Sequence, residues 1–111
     1  MTTRRTVLVI DDDEAVTDYL ALKLGARLRV LTLNDPRRAL ETARRERPDV
    51  VVCDREMPGM DGAAVRAALA GAVETAGIPF LVLSANADGP DAVSKQAPAG
   101  ELLARIDALL G

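Results

Sequence analysis

Histidine, tryptophan and long apolar stretches are missing from this chain of 111 residues, and the absences exclude several classes of function. Without histidine the chain can carry no His-ligated zinc site, no Ser-His-Asp triad and no phosphohistidine. No apolar run approaches the ~20 residues that span a bilayer, and the N-terminus lacks a signal-peptide pattern. The single cysteine cannot build a disulfide framework, which fits a reducing compartment. We therefore expect a cytoplasmic protein with no membrane contact.

Aromatic residues make up only 2% of the chain, and its formal net charge is −3. Nucleic-acid binding usually requires a basic patch for phosphates and aromatic rings for base stacking. We therefore expect no direct nucleic-acid contact. The length suits one domain, so residues 1–111 are interpreted as a single domain.

Short apolar runs alternate with amphipathic stretches, a pattern typical of a parallel α/β sheet. Residues 7–10, 30–33, 50–53 and 80–83 are predicted strands, and residues 92–95 are an ambiguous fifth. Asn34, Asp35 and Pro36 predict the start of a helix that runs to about Arg45. The other predicted helices carry apolar stripes at Val16, Tyr19, Leu20 and Leu24; at Val65, Leu69 and Val73, ending at Gly77 and Pro79; and at Leu102, Leu103, Ile106, Leu109 and Leu110.

The informative polar residues follow the apolar runs. Asp11 and Asp12 follow the first run, Asp54 the third and Ser84 the fourth, and Lys95 ends the ambiguous fifth. Open α/β sheets bind ligands beyond the carboxyl ends of their strands, so these side chains are expected at one edge. Converging carboxylates repel one another, and Mg²⁺ relieves that repulsion. This predicts a magnesium site in which Asp54 accepts a phosphoryl group, Lys95 neutralises charge and Ser84 donates a hydrogen bond.

These residues resemble response regulator receiver domains of bacterial two-component systems. The likeness lies in residues 7–12 (VLVIDD), residues 48–62 (PDVVVCDREMPGMDG), Ser84-Ala85, Lys95 and residues 101–106 (ELLARI). It implies a flavodoxin-like, doubly wound parallel sheet of five strands in the order 2-1-3-4-5. It also implies a receiver that is not an enzyme beyond self-phosphorylation and slow autodephosphorylation.

The resemblance further implies roles for individual residues. Asp54 would accept phosphate from the phosphohistidine of a histidine kinase or phosphotransfer protein. Mg²⁺ would be held by Asp12, Asp54 and the backbone carbonyl of Glu56, with Asp11 assisting through water. Ser84 and Lys95 would contact the phosphoryl oxygens. The Glu56 side chain, and Asn86 two residues after the serine, are candidates for tuning phosphoryl lifetime.

The segment between Ser84 and Lys95 is too short for the fourth helix of the family. Residues 85–90 would advance only ~9 Å as a helix, whereas the return along a five-residue strand needs ~17 Å. We therefore expect either a stretched loop here or a fifth strand that pairs elsewhere. The short connection should leave part of one sheet face uncovered, available to a second copy in a homodimer or to another partner. Ala92 also stands where the family usually carries an aromatic residue.

Two alternative functions remain open at this point. The missing helix and Ala92 are compatible with a degenerate receiver that acts as a phosphorylation-independent interaction scaffold. Residues 10–13 (IDDD) also fit the opening motif of haloacid-dehalogenase-like phosphatases, which would use Asp11 as the nucleophile. That second alternative leaves Asp54 without a role.

Overall fold

The computed structural model describes residues 4–85, 89 and 91–111. In chain order, the described elements are β1 (Thr6–Ile10), α1 (Glu14–Leu24), β2 (Arg29–Leu33), a 3-10 turn (Pro36–Arg38), α2 (Ala39–Glu46), β3 (Val50–Asp54), α3 (Gly62–Ala70), β4 (Phe80–Ser84), β5 (Ala92–Ser94) and α4 (Ala99–Leu110).

The five strands form one parallel sheet in the order β2-β1-β3-β4-β5. The flavodoxin-like, doubly wound α/β fold and the order 2-1-3-4-5 are thereby confirmed. Every residue of β1 and β3 is buried. Strands covered on both faces favour unbroken runs of β-branched residues over alternation, which explains the continuous Val and Ile runs.

Helices cover both faces of the sheet. α1 and α4 pack beside each other on one face, over a core that includes Val9, Val52 and Ile106. α2 and α3 cover the other face, over Leu8 and Val51. None of these helices, in the part of the chain that the structure describes, is long and apolar enough to cross a membrane.

The start of the second helical segment follows the prediction from its local sequence. The Asp35 side chain accepts a hydrogen bond from the backbone N–H of Arg37, and Pro36 occupies the first position of the 3-10 turn. Proline suits this position because its missing N–H would lack a helical partner there. α2 continues to Glu46, and Arg47 ends it in the left-handed region with φ 49°.

The predicted end of the third helix was wrong. α3 stops before Gly71, not near residue 77, and the Val73 side chain is 95% exposed. The Thr75 hydroxyl donates a 2.6 Å hydrogen bond to the carbonyl oxygen of Leu69. This bond satisfies a carbonyl that a continuing helix would have used, so the following turns carry Val73 away from the core.

Two other apolar side chains assigned to helix stripes also lie at the surface. Tyr19 is about half exposed, and Lys23 Nζ lies 5.8 Å from its ring centroid. Leu20 and Leu24, by contrast, are buried under α1. Leu109 of α4 is likewise exposed. The buried stripes of these two helices are therefore narrower than the sequence suggests.

The connection between β4 and β5 contains no helix among its described residues, Ala85, Gly89 and Asp91. Residues 86–88 and 90, which include the candidate Asn86, lie outside the described residues.

A groove of about 710 Å³ lies beside α3 and is lined by the half-buried Val82 of β4 and by the buried Ala92 of β5. We call it the β4–β5 groove. Arg66 of α3 borders it, pairing with Asp91 at 2.9 Å and lying 5.6 Å from the Phe80 ring centroid. The described residues agree with the expected lack of a helix between β4 and β5, and the Arg66 side chain occupies part of the face beside the groove.

A matched pair of leucines tests the orientation of α1. Leu24 is fully buried, whereas Leu22, two residues earlier, is 76% exposed. We expect Leu24→Ala to lower the free energy of unfolding by about 2–5 kcal/mol, since it removes packed atoms and leaves a cavity. Leu22→Ala should change it by no more than about 0.5 kcal/mol. Urea denaturation measures both values, and equal losses would contradict this packing.

Candidate functional site

The carboxyl ends of neighbouring strands meet at one edge of the sheet. Ile10 of β1 lies beside Cys53 of β3, and Ser84 of β4 lies beside Ser94 of β5. Because the strands are parallel, the residues at or just after these ends share that edge. The polar residues collected there are Asp11, Asp12, Asp54, Ser84 and Lys95.

Three carboxylates converge at this edge. Asp11, Asp12 and Asp54 each contribute an oxygen atom, and these oxygens all lie within 4.8 Å of one another. Asp11 and Asp54 are buried, whereas Asp12 is exposed. Two carboxylates ~4 Å apart repel by ~4 kcal/mol at an effective dielectric constant of 20. The cluster therefore requires positive charge nearby.

Lys95 supplies part of that charge. Its Nζ lies 2.7 Å from Oδ1 of Asp54. Burial by itself lowers the pKa of Lys95, but the hydrogen bond that its ammonium donates to Asp54 and the attraction of all three carboxylates outweigh burial and raise the pKa above the ordinary value. Lys95 therefore remains a cation at neutral pH, directly against Asp54.

Asp11 is the least compensated carboxylate of the cluster. Burial raises its pKa from 3.8 to about 6; the backbone N–H of Asp13 and the charge of Lys95 oppose the rise, and repulsion from Asp54 and Asp12 adds to it. The Asp13 N–H donates to Asp11 Oδ1 at 2.9 Å. The second oxygen, Oδ2, is buried and has no hydrogen-bond partner among the described residues. A buried acceptor in this state is costly unless a cation or donor satisfies it.

These residues fit a divalent metal ion. Mg²⁺ is bound by oxygen atoms, usually through one or two carboxylates together with water. The unpartnered Oδ2 of Asp11 and the neighbouring oxygens of Asp12 and Asp54 provide such ligands. The acidic cluster predicted from the strand ends therefore has the donor chemistry of a magnesium site.

Comparison with known proteins identifies the family. The family model of the response regulator receiver domain matches residues 7–106. The chain belongs to this family. Receiver domains are not enzymes in the classical sense, and the match favours a phosphoacceptor receiver module over both the phosphatase and the scaffold alternatives.

Curated relatives and solved structures agree with this assignment. The chain is 35% identical to the probable transcriptional regulatory protein TcrX of Mycobacterium tuberculosis, over 95% of this chain and 49% of the relative. It is 34% identical to the DNA-binding response regulator MtrA of Mycolicibacterium smegmatis, over 83% of this chain and 40% of the relative. The chain thus spans about half of these relatives or less.

Solved receivers have the same fold. The chemotaxis response regulator CheY4 of Vibrio cholerae superposes with a TM-score of 0.87 at 26% identity, over 97% of this chain and 100% of that one. A putative response regulator from Chloroflexus aurantiacus gives a TM-score of 0.88 at 28% identity, over 97% of this chain and 98% of that one.

In this receiver domain a small cavity adjoins Asp54. The cavity has a volume of about 110 Å³ and is called the phosphoryl pocket below; its lining residues are Asp54, Arg55, Glu56, Ser84, Ala85 and Lys95. The predicted acceptor, hydroxyl and ammonium therefore border one space. Asp11, the nucleophile of the phosphatase alternative, does not line it.

The sequence interpretation missed Arg55. This exposed side chain donates a 3.1 Å hydrogen bond from Nη1 to Oγ of the buried Ser84. The signal was available, because a charged residue directly after the strand-end Asp54 must lie at the same edge. Its direction toward Ser84, however, depends on the fold of the following loop.

That loop is fixed tightly to the end of β3. The backbone N–H of Gly62 donates to the carbonyl oxygen of Arg55 at 2.9 Å. A Cβ atom at position 62 would lie only 2.5 Å from the backbone oxygen of Asp54, so only glycine allows this approach. Met57 is buried within the loop, while Glu56 is exposed and its N–H donates a long, 3.3 Å bond to Asp54 Oδ1.

The raised pKa of Asp11 predicts a pH-dependent stability. Between the unfolded value of 3.8 and the folded value of about 6, the folded state binds the additional proton, so its stability falls as the pH rises through this range. Asp11→Asn mimics the protonated form. Without metal it should raise the free energy of unfolding near pH 7.5 by on the order of 2–3 kcal/mol, and by much less near pH 4.5.

Urea denaturation in the presence of a chelator measures this difference, with the exposed Asp18→Asn of α1 as the control. Addition of Mg²⁺ should stabilise the wild-type protein more than Asp11→Asn. Equal stabilisation by the substitution at both pH values would show that folding does not raise the pKa of Asp11.

Proposed function

We propose that Asp54 is the phosphoacceptor of this receiver and takes its phosphoryl group from the phosphohistidine of a histidine kinase or phosphotransfer protein. In this reaction the N–P bond of the donor breaks as a carboxylate oxygen of Asp54 forms a bond to phosphorus. The observation that carries the proposal is the position of Asp54, between the cationic Lys95 and the acidic pair Asp11 and Asp12.

The side chains around Asp54 have separate roles in this proposal. Lys95 is within contact distance of the acceptor carboxylate and neutralises charge that develops on the phosphoryl oxygens. Ser84 borders the same pocket, and its hydroxyl donates a hydrogen bond to a phosphoryl oxygen. Both groups orient the incoming phosphorus for attack by Asp54.

Mg²⁺ is the proposed cofactor, held by Asp11, Asp12, Asp54 and the backbone carbonyl of Glu56. When bound, it would neutralise negative charge on the carboxylates and the phosphoryl group. The unpartnered buried oxygen of Asp11 supports this assignment. We further propose that the domain catalyses only its own phosphorylation and slow dephosphorylation, with the exposed Glu56 side chain and Asn86 affecting the rate of the latter.

The domain organisation, the cellular location and the absence of nucleic-acid contact are also proposals. We propose that residues 1–111 act as one receiver unit in the cytoplasm and contact no nucleic acid directly. The net charge of −3 and the acidic edge support the last point, since both repel a phosphate backbone. The DNA-binding relatives are more than twice as long as the segment that this chain matches.

Small phosphodonors test the acceptor assignment. With acetyl phosphate and Mg²⁺, the wild-type protein and Asp18→Asn should gain one phosphoryl group in intact-mass spectra, and Asp54→Asn should gain none because the nucleophilic oxygen is lost. Modification of Asp54→Asn at Asp11 would support the phosphatase alternative. No modification of the wild-type protein by acetyl phosphate or phosphoramidate would support the scaffold alternative.

We also propose that the β4–β5 groove is the interface of a homodimer. The groove carries Arg55 and Arg66 as well as Glu56, Asp61 and Asp91. A surface with both signs of charge can pair with its own copy about a two-fold axis, where each residue meets its counterpart in reciprocal fashion. This self-complementarity favours a second copy over a strongly charged partner.

Adjacent alanines of α3 test the interface. Ala63 lines the groove, whereas the exposed Ala64 does not. With Mg²⁺ and beryllofluoride at high protein concentration, wild type and Ala64→Arg should sediment as dimers. Ala63→Arg should sediment as a monomer, because a bulky cation would fill the contact surface. A monomeric wild-type protein under these conditions, and also without beryllofluoride, would exclude the dimer.

A further inference from the structure

Arg55 borders both the phosphoryl pocket and the β4–β5 groove. It lines the phosphoryl pocket together with Asp54 and Lys95. It also lines the β4–β5 groove together with Val82 and Arg66. Glu56 borders both spaces as well, but its negative charge would be repelled by a phosphoryl group. Among the described residues, Arg55 is thus the cation that lines both the phosphoryl pocket and the groove.

The backbone of Arg55 is held on both sides. Its N–H donates to the carbonyl oxygen of Leu83 at 2.9 Å, and its own carbonyl oxygen accepts from the N–H of Gly62 at 2.9 Å. A backbone anchored in this way leaves the long side chain as the movable part. The guanidinium carries five donors in a planar fork that matches phosphoryl oxygens, whereas its present acceptor, Ser84 Oγ, is a neutral hydroxyl oxygen.

Negative charge in the phosphoryl pocket favours movement of the Arg55 guanidinium toward Asp54. Three carboxylates lie near Lys95, and a phosphoryl group on Asp54 adds further negative charge to the same space. A phosphoryl oxygen is a stronger acceptor for an arginine than a neutral hydroxyl, because both partners are then charged. The phosphorylated pocket should therefore attract Arg55 away from its position at the edge of the groove.

We infer that Arg55 is a second cationic ligand of the phosphorylated acceptor, and that its movement transmits phosphorylation to the β4–β5 groove. This inference rests on the proposed phosphorylation of Asp54 and adds a residue and an output surface to it. In the unmodified state the guanidinium donates to Ser84 and borders the groove. In the phosphorylated state it donates to a phosphoryl oxygen, and the surroundings of Val82 change.

Beryllofluoride, a phosphoryl analogue, provides the test in the full chain with Mg²⁺. Fluorine NMR of bound beryllofluoride measures affinity, and the methyl signals of Val82 report on the groove. Arg55→Gln removes the cation and keeps a polar side chain, although a shorter one. Arg66→Gln is the matched control, because Arg66 lines the same groove but not the phosphoryl pocket. Arg55→Lys keeps the charge and loses the planar fork.

We expect Arg55→Gln to weaken beryllofluoride binding by roughly threefold to tenfold, since the lost charge-assisted bond is partly exposed. Arg66→Gln should bind as the wild-type protein does, and Arg55→Lys should lie between wild type and Arg55→Gln. Beryllofluoride should shift the Val82 methyl signals in wild type and Arg66→Gln. Saturated Arg55→Gln should show no such shift.

The outcomes separate this inference from the proposed function. If wild type binds beryllofluoride and Arg55→Gln matches it in both affinity and Val82 shift, the role of Arg55 is overturned while the phosphoacceptor assignment stands. If Arg66→Gln loses the same affinity as Arg55→Gln, a general loss of positive charge is the cause and the inference is also overturned. If wild type does not bind beryllofluoride, the proposed function fails and the inference fails with it.

Discussion

Repulsion between carboxylates at the ends of parallel strands is the constraint on which this site depends. β1 and β3 are neighbours in the sheet, so Asp11 and Asp54 meet at one edge regardless of the surrounding loops. Lys95, which follows the edge strand β5, compensates Asp54 through a 2.7 Å contact, while one buried oxygen of Asp11 has no hydrogen-bond partner within residues 4–85, 89 and 91–111. Lys95 therefore does not fully compensate the negative charge of the three carboxylates. That uncompensated charge supports the proposal that the site binds a metal ion.

The short connection between β4 and β5 changes the surface of the fold and leaves its core intact. β5 still pairs with β4 in parallel, and Lys95 still contacts Asp54. The difference lies on the side of α3, where Arg66 spans from Phe80 to Asp91 beside an open groove. An arginine can fill such a place because its methylene stem covers apolar surface while its head remains paired and hydrated. Among the described residues, Arg55 and Glu56 border both the phosphoryl pocket and the β4–β5 groove, and Arg55 is the cationic one of the two.

The sequence predicts the strands well because each contains a short, mainly apolar run, and β1 to β4 begin and end within one residue of those runs. In β1 and β3 the unbroken run reflects burial of both faces. The strand order follows from resemblance to the receiver family rather than from any local pattern. Helix ends are harder to predict. Val73 continues the spacing of Val65 and Leu69, yet Gly71 and the Thr75 hydroxyl end the helix before it. The site residues could be predicted as a group from strand ends, but the contact of Arg55 with Ser84 depends on a loop conformation that composition does not encode.

The burial of Cys53, the residue before Asp54, has a practical consequence. Cys53 is the sole cysteine of the chain, it is fully buried, and burial together with the charge of Asp54 raises the pKa of its thiol to about 12. Thiolate is the reactive form, so alkylating reagents can modify this atom only after β3 has separated from its neighbours. The rate of alkylation therefore measures how often the centre of the sheet opens, without any introduced label. Ligands that bind at the acidic edge should slow that rate exponentially with the free energy of stabilisation that they add.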